Sequence, residues 1–417
     1  MNIFRQLLPL LFFQLYIFSH ESSTYEYESY DFSEQVNIDD ISRLDKKKSS
    51  KKKHKKEHRI EKKPQYVPQV NRLHQEISNG CPEWAVLQIN NDLSQFKNKT
   101  ISRKKLLEVY EKYSDQLRLV KFTISNNKLY INKKFGDDHN ILDRIGAFKR
   151  AIDKICSVAS LPDLVFVMSI HDGLHANDID TDVPIFLMCK EKHSENYILA
   201  PDYESLNERY QVLKDKDITT TSYLWENKFS QLMWRGCAGQ HASDESGNIM
   251  RRDNLHLFSR VQLCQLSLEY PSMINAKFTV INQGEGDEAV PFLHQYRGQY
   301  LEYDYLARFK YQILIDGNVC SYGKSGWRFF SNSVVFLPDS NWTQWYYNDL
   351  QPWVHYIPVN ENLDDLVDKL QWAMAHDLES KQIAQNGRNF AISHLTAEKD
   401  TVYLYYLLCN YAYLNFE

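Results

Sequence analysis

Two kinds of pattern alternate along the chain. "LVFVMSI" (164–170) is apolar almost throughout, as expected for a strand covered on both faces in a parallel sheet. "YILAP", "FSQLMW", "KFTVI", "YQILID", "SVVFL" and "WVHYIPV" are further runs of that kind. Between them, "NLDDLVDKLQWAMAHD" sets Leu363, Leu366, Val367, Leu370 and Met374 on one helical stripe, a core face rather than a cofactor box. Short apolar runs alternating with helical patterns, without an internal repeat, predict an α/β fold. Several strand-helix units on each side of residue 205 predict two doubly wound domains facing a cleft.

The first 68 residues break that rhythm. "MNIFRQLLPLLFFQLYIFSH" carries one Arg and an apolar run from Leu7 to Phe18, too short for a comfortable membrane span and the right length for a signal-peptide core. Residues 1–19 are therefore expected to be a signal peptide or signal-anchor, with an exported or membrane-associated location. The chain closes on "YAYLNFE", which lacks a retrieval signal. Residues 20–68, acidic and then Lys-rich, have no apolar periodicity and are expected to be a disordered leader. Beyond it, the expected division is 69–205 for an N-terminal domain, 206–395 for a C-terminal domain and 396–417 for a last helix.

Composition sharpens the picture where charge is concerned. Of a formal net charge of −5, the stretch Lys46–Lys63 contributes +9, which leaves the remainder at −14. An acidic body argues against nucleic acid as a partner, although the Lys run could touch anionic lipid. At 417 residues, 43% hydrophobic and 13% aromatic, the chain can bury two cores. Its seven Cys (81, 156, 189, 237, 264, 320, 409) include no Cys-x-x-Cys pair, so neither a disulfide scaffold nor a zinc site is indicated. Asn98-Lys-Thr100 and Asn341-Trp-Thr343 fit the N-glycosylation pattern.

In open α/β sheets, ligands sit outside the carboxyl ends of the strands, and three such places carry candidate chemistry. After "LVFVMSI" come His171 and Asp172; the carboxylate is either a general base toward a hydroxyl or the cap of a turn beside Gly173. "FSQLMWRGCAGQ" ends in Arg235 and Gly236, suited to a phosphate met by a guanidinium fork and close backbone N–H groups, or else to an ion pair across the domain. Downstream, "RRDNLHLFSR" adds Arg251, Arg252 and Arg260, of which one could join an anion site while the others are surface charges. "DGNVCSYGKSGWRFF" follows "YQILID" and breaks the chain at Gly317, Gly323 and Gly326, with Asn318, Ser321, Tyr322, Lys324 and Arg328 at hand. A glycine-broken loop feeding a helix, with cations beside it, is a recipe for a diphosphate. Neither the Walker loop nor Gly-x-Gly-x-x-Gly is present. Trp327, Tyr322 and Trp234 could stack on a base or sugar, or fill a core.

"NDIDTD" offers Asp178, Asp180 and Asp182, which would suit a divalent ion, or simply form a solvated loop. No histidine ligand spacing and no Gly-x-Ser-x-Gly elbow occurs, so a hydrolase lacks its nucleophile.

From roughly residue 80 to 415 the chain resembles glycosyltransferase family 90, the capsule-associated and protein O-glucosyltransferase group. The densest likeness runs from "YQILIDGNVCSYGKSGWRFF" to "LQPWVHYIPV", with "LPDLVFVMSIHDG", "MWRGCAG" and "RRDNLHLFSR" in the same order. The resemblance implies a GT-B architecture, two Rossmann-like domains with a UDP-sugar between them, and inverting transfer without metal or cofactor. By it, Asp172 matches the catalytic base, Arg235 the phosphate contact, and Lys324 a position where many members carry a diphosphate-binding Arg; His171 stands where an Arg commonly precedes the Asp. Donor contacts are thus expected from Arg235, Gly236, Gly317, Asn318, Ser321, Tyr322, Lys324 and Arg328, and acceptor-side contacts from His171, Arg251 and Arg252. The expected activity is transfer of glucose or xylose to a hydroxyl on a glycan, lipopolysaccharide or protein. A silent carbohydrate- or nucleotide-binding module of the same fold is the alternative.

Overall fold

The computed structural model describes residues 69–175, 178–179, 182–207, 213–217, 223–240, 242, 250–251, 253–281, 290–322 and 324–417, without the side chains of 69–71, 290, 324 and 325. The proposed signal segment and leader lie outside the described residues, as do Asp180, Arg252 and Gly323. One expectation is corrected here. No helix among the described residues is long and apolar enough to cross a membrane, and the apolar segment behind the exported or membrane-associated location is not among them.

The strands form two five-stranded sheets. The first is built from β1 (Leu119–Ser125), β2 (Lys128–Asn132), β3 (Leu164–Ser169), β4 (Ile185–Leu187) and β6 (Tyr197–Leu199), in the order β2-β1-β3-β4-β6. Strand β5 (Lys190–Glu191) stands outside it. Strands β3, β4 and β6 run parallel, as their continuous apolar runs require. Strand β1 is antiparallel both to β3 and to its hairpin partner β2, so this sheet is mixed rather than doubly wound throughout. Its turn uses Asn126 and Asn127, both at positive φ (50° and 58°), the left-handed geometry that Asn tolerates and two-residue hairpins need.

The second sheet is entirely parallel: β7 (Phe229–Cys237), β8 (Ile274–Val280), β9 (Phe309–Ile313), β10 (Val334–Pro338) and β12 (Ile357–Val359), ordered β12-β10-β9-β7-β8. The order reverses beside β7, so the crevice a parallel sheet opens to ligands lies at the carboxyl ends of β7 and β9. The run "WVHYIPV" is strand only from Ile357; Trp353–Tyr356 make a turn. Strand β11 (Trp342–Thr343) pairs with β5, tying the two halves together.

Nine helices of seven residues or more occur among the described residues: α1 (Gln69–Ser78), α2 (Glu83–Leu93), α3 (Arg103–Tyr113), α4 (His139–Val158), α5 (Ser259–Glu269), α6 (Lys324–Phe330), α7 (Leu366–Ala375), α8 (Asp377–His394) and α9 (Ala397–Ala412). Asp138 caps α4 by accepting from the Ile141 amide at 2.8 Å, and the buried stripe Ile141, Ile145, Phe148 and Ile152 covers the first sheet's core. In the predicted stripe, Leu366 and Leu370 are fully buried on α7, while Leu363 is buried just ahead of the helix. Helix α9 returns to the first sheet, packing on α1 and α4, and the chain end closes on residue 101 through Ile101 N–H to Asn415 O (2.8 Å) and Glu417 N–H to Ile101 O (3.0 Å).

Candidate active site

The carboxyl ends of β3, β7 and β9 converge on a cavity of about 500 Å³. Eight of the residues expected as base or donor contacts line it: Asp172 after β3, Arg235 and Gly236 closing β7, Gly317, Asn318, Ser321 and Tyr322 after β9, and Arg328 on α6. His171 and Arg251 do not line it. His171 is half-buried, its amide donating to Ser169 Oγ at 3.2 Å, and burial, then Arg118, hold its pKa below the usual histidine value. Arg251 is exposed and lies 3.6 Å from Asp253. Lys324 begins α6, with its side chain outside the described atoms.

Asp172 stays 47% exposed while its Oδ1 accepts from Nη2 of Arg144 on α4. Arg144 also donates to Ile170 O at 2.6 Å and lies 5.0 Å from the Tyr203 ring centre. Burial, the largest single effect, works against the Arg144 charge, but the charge and hydrogen bond of Asp172 together with Tyr203 and Tyr322 leave the guanidinium pKa raised. The effect is to fix the carboxylate's aim. Nothing in the sequence reading named Arg144, yet a signal existed: it stands three residues after Ile141 and four before Phe148, on the buried face of an amphipathic helix where a lone arginine needs a reason.

Opposite, Arg235 sits at the edge of β7 with Nη1 donating to Trp234 O (2.8 Å) and Asn275 O (2.9 Å) and Nη2 to Asn275 Oδ1 (2.9 Å). Its Nε is buried with no hydrogen-bond partner among the described residues, and burial lowers its pKa. The strand fork is thus held by Asn275 of β8, another residue the sequence did not suggest.

The loop after β9 is folded by Asp316. Its Oδ1 accepts from the Ser321 amide at 3.1 Å and its Oδ2 from Ser340 Oγ at 2.6 Å, while Gly317 N–H donates to Val319 O at 2.9 Å. Burial raises the Asp316 pKa against these stabilising contacts. Gly317 is required by close approach: a Cβ there would sit 2.8 Å from Arg260 Nη2 and 3.1 Å from Gly239 O. Arg260 is the bolt behind this loop. Instead of being a surface charge, it is buried and donates to Asp316 O (2.8 Å), Gly239 O (2.8 Å) and Cys237 O (3.1 Å), stitching the end of β7 to the end of β9. Arg328 is buried against Trp327, 4.8 Å from the ring centre, and burial brings its pKa down to about 10.

Trp234, expected as a stacking or core residue, lines the cavity and is almost wholly buried. Trp327 is buried against Tyr303, ring centres 5.0 Å apart. The acidic triplet is divided among other tasks: Asp178 Oδ2 accepts from the His175 amide at 2.7 Å, and Asp182 pairs with Lys105 at 2.6 Å. Among the described residues no cluster of three or more His, Cys, Asp or Glu is placed to hold a metal.

One wall thus presents a carboxylate and the other presents arginines over a glycine-bearing loop, a pairing that fits proton removal opposite a leaving anion. Comparison with known proteins points the same way. The chain is 29% identical over 334 residues to protein O-glucosyltransferase 2 of Danio rerio, covering 78% of this chain and 61% of that protein. It is 27% identical over 343 residues to protein O-glucosyltransferase 3 of Homo sapiens, with the same two shares. To protein O-glucosyltransferase 1 of Homo sapiens it is 26% identical over 341 residues, 78% of each chain. The match to the first two therefore spans about six tenths of their length. The sequence pattern of glycosyl transferase family 90 covers residues 76–416, from α1 to the strand-like end that closes on residue 101, and this chain belongs to that family.

Proposed function

We propose that this protein is an inverting glycosyltransferase that moves a hexose or pentose, glucose or xylose, from a UDP-sugar to a hydroxyl on a protein. The observation that carries the reading is the cavity in which Asp172 of one sheet faces Arg235 and the Gly317–Tyr322 loop of the other. The relatives' names favour a protein acceptor over lipopolysaccharide or a free glycan. The arrangement is GT-B, with an acceptor-side domain at 69–205 and a nucleotide-sugar domain at 206–395. The return of α9 to the first sheet supports grouping residues 396–417, the expected last helix, with the acceptor side.

In this mechanism Asp172 Oδ2 takes the proton of the acceptor hydroxyl while that oxygen attacks the anomeric carbon. The bond from that carbon to the UDP oxygen breaks, and its electron pair leaves on the diphosphate. A single displacement from the opposite face inverts the configuration. Arg235, its unpaired Nε and the loop amides stabilise the departing charge, with Arg328 adding positive potential from behind. Arg144 keeps the base aimed and remains on the protein throughout.

The test is UDP release by the full-length chain with UDP-glucose, UDP-xylose and related donors, with and without EDTA. Release with one donor that survives chelation supports the reading. Loss of release in EDTA would move the chemistry to a divalent metal, and UDP binding without release by any donor and acceptor pair would leave a binding module.

A further inference from the structure

A second cavity, of about 650 Å³, lies at the carboxyl ends of β10 and β12. It shares no lining residue with the cavity of Asp172. The two are separated by a thin wall. Ser340, which lines the larger one, donates to Asp316 beneath the catalytic loop, and Trp342 packs so close to Gly173 that a Cβ there would stand 3.2 Å from its ring.

Three features describe what this second cavity would accept. Its walls carry aromatic faces, Trp342, Trp353 and Tyr356. They also carry carboxamides, Asn91, Asn348 and Asn360, with Asn348 Nδ2 already braced by Gln88 Oε1 at 2.8 Å. Every lysine in the lining is neutralised: Lys190 by Asp92 (2.8 Å), Lys192 by Asp339 (2.5 Å) and Lys369 by Asp365 (2.6 Å). A phosphate or carboxylate ligand would have to displace one of those carboxylates. A neutral polyol would not, since its hydroxyls donate and accept against amides and ion pairs alike while its C–H face lies on an aromatic ring.

Trp353 adds a separate observation. It has φ of 64°, a left-handed conformation that a bulky residue rarely adopts and that tends to mark function when the surroundings impose it. Here they do: its N–H donates to Tyr356 O at 2.7 Å, His355 N–H to Gln351 O at 2.9 Å, and its ring stands edge-on to Trp372 with centres 4.9 Å apart. The outcome is a rigid tryptophan, 43% exposed, on the cavity wall.

We infer that this cavity is a binding site for a neutral oligosaccharide, distinct from the donor site, with Trp353 as its stacking platform and Asn91, Asn348 and Asn360 as its hydroxyl contacts. It goes beyond the proposed transfer reaction and stands whether or not that reaction is correct.

The experiment is saturation-transfer NMR and calorimetry on the full-length chain with maltotriose, cellotriose, xylotriose and tri-N-acetylchitotriose, with UDP and inorganic phosphate as anionic probes. At least one trisaccharide should bind, with its affinity unchanged by saturating UDP and by Arg235→Ala. Trp353→Gly relieves the backbone strain and removes the platform, and should weaken binding by about tenfold or more. Asn91→Leu, at an exposed position, should do the same without touching the core. The site is refuted if no trisaccharide binds, if UDP displaces the sugar, if both variants bind like the parent, or if phosphate rather than sugar is displaced by these changes.

Discussion

Two cavities open at the carboxyl ends of strands in this molecule, and their charge balance sets them apart. The smaller is lined by four arginines, 144, 235, 260 and 328, against two carboxylates, Asp172 and Glu204. The larger has lysines that each carry a carboxylate within 2.8 Å. The same topology therefore presents two different potentials to ligands, because the fold supplies the crevice and the side chains supply its charge.

The sharpest break in that comparison comes from removing Asp172, the carboxylate that follows β3 and pairs with Arg144. Asp172→Asn should reduce UDP release roughly 10²- to 10⁴-fold with UDP affinity retained, read by turnover beside calorimetry; turnover near the parent's would remove Asp172 from the base role. Removing a cation should matter in one cavity only. Arg235→Ala should weaken UDP binding by about 1.5–3 kcal/mol through lost charged hydrogen bonds. Lys192→Ala, which opens an exposed ion pair, should leave UDP affinity alone and shift stability by less than about 1 kcal/mol. Equal effects of the two on the UDP dissociation constant would contradict the contrast.

Gly317→Ala tests the architecture between the cavities. The added methyl meets Arg260 Nη2 and a backbone oxygen, so a loss of about 1–3 kcal/mol in denaturant unfolding is expected; an unchanged midpoint would show that Arg260 can move aside. The smallest effect concerns pH. His171 and His394 have pKa values lowered first by burial, so the unfolded chain takes up their protons at a higher pH than the fold does. Stability from both is present above about 6.5 and declines as pH falls from there toward the lowered folded values. Melting scanned from pH 7.5 to 5 should show that decline, lessened in His394→Gln.

Strand ends were the most legible part of this sequence. Asp172 and Arg235 stood at the ends of largely apolar runs, and a strand buried along much of its length leaves few places for a polar residue to be useful. What escaped was whatever depended on contacts distant in the chain. Arg144 reaches Asp172 across 28 positions and Asn275 reaches Arg235 across 40; no local pattern encodes either meeting. Arg260 was readable as a cation near the anion site, but its role as a bolt emerges only when the carbonyls of Asp316, Gly239 and Cys237 converge on it. Apolar composition also misled at "WVHYIPV", where Trp353 takes a positive φ and the strand starts four residues later. The Asn126-Asn127 turn carried a hairpin signal in its own right, masked by the expectation of parallel strands.

The closure of the last residues onto Ile101 has a consequence for how the protein is made. The first sheet's core includes Tyr403, Leu404, Leu407 and Tyr411 of α9, so a nascent chain holding only residues 69–205 lacks a large part of its own interior. One face of the second sheet packs in a core drawn from residues between Trp225 and Ala384, while Met233, Phe309 and Val335 on its other face join the first core. Although it is synthesised later, that face can consolidate before the first sheet's interior, which waits for α9.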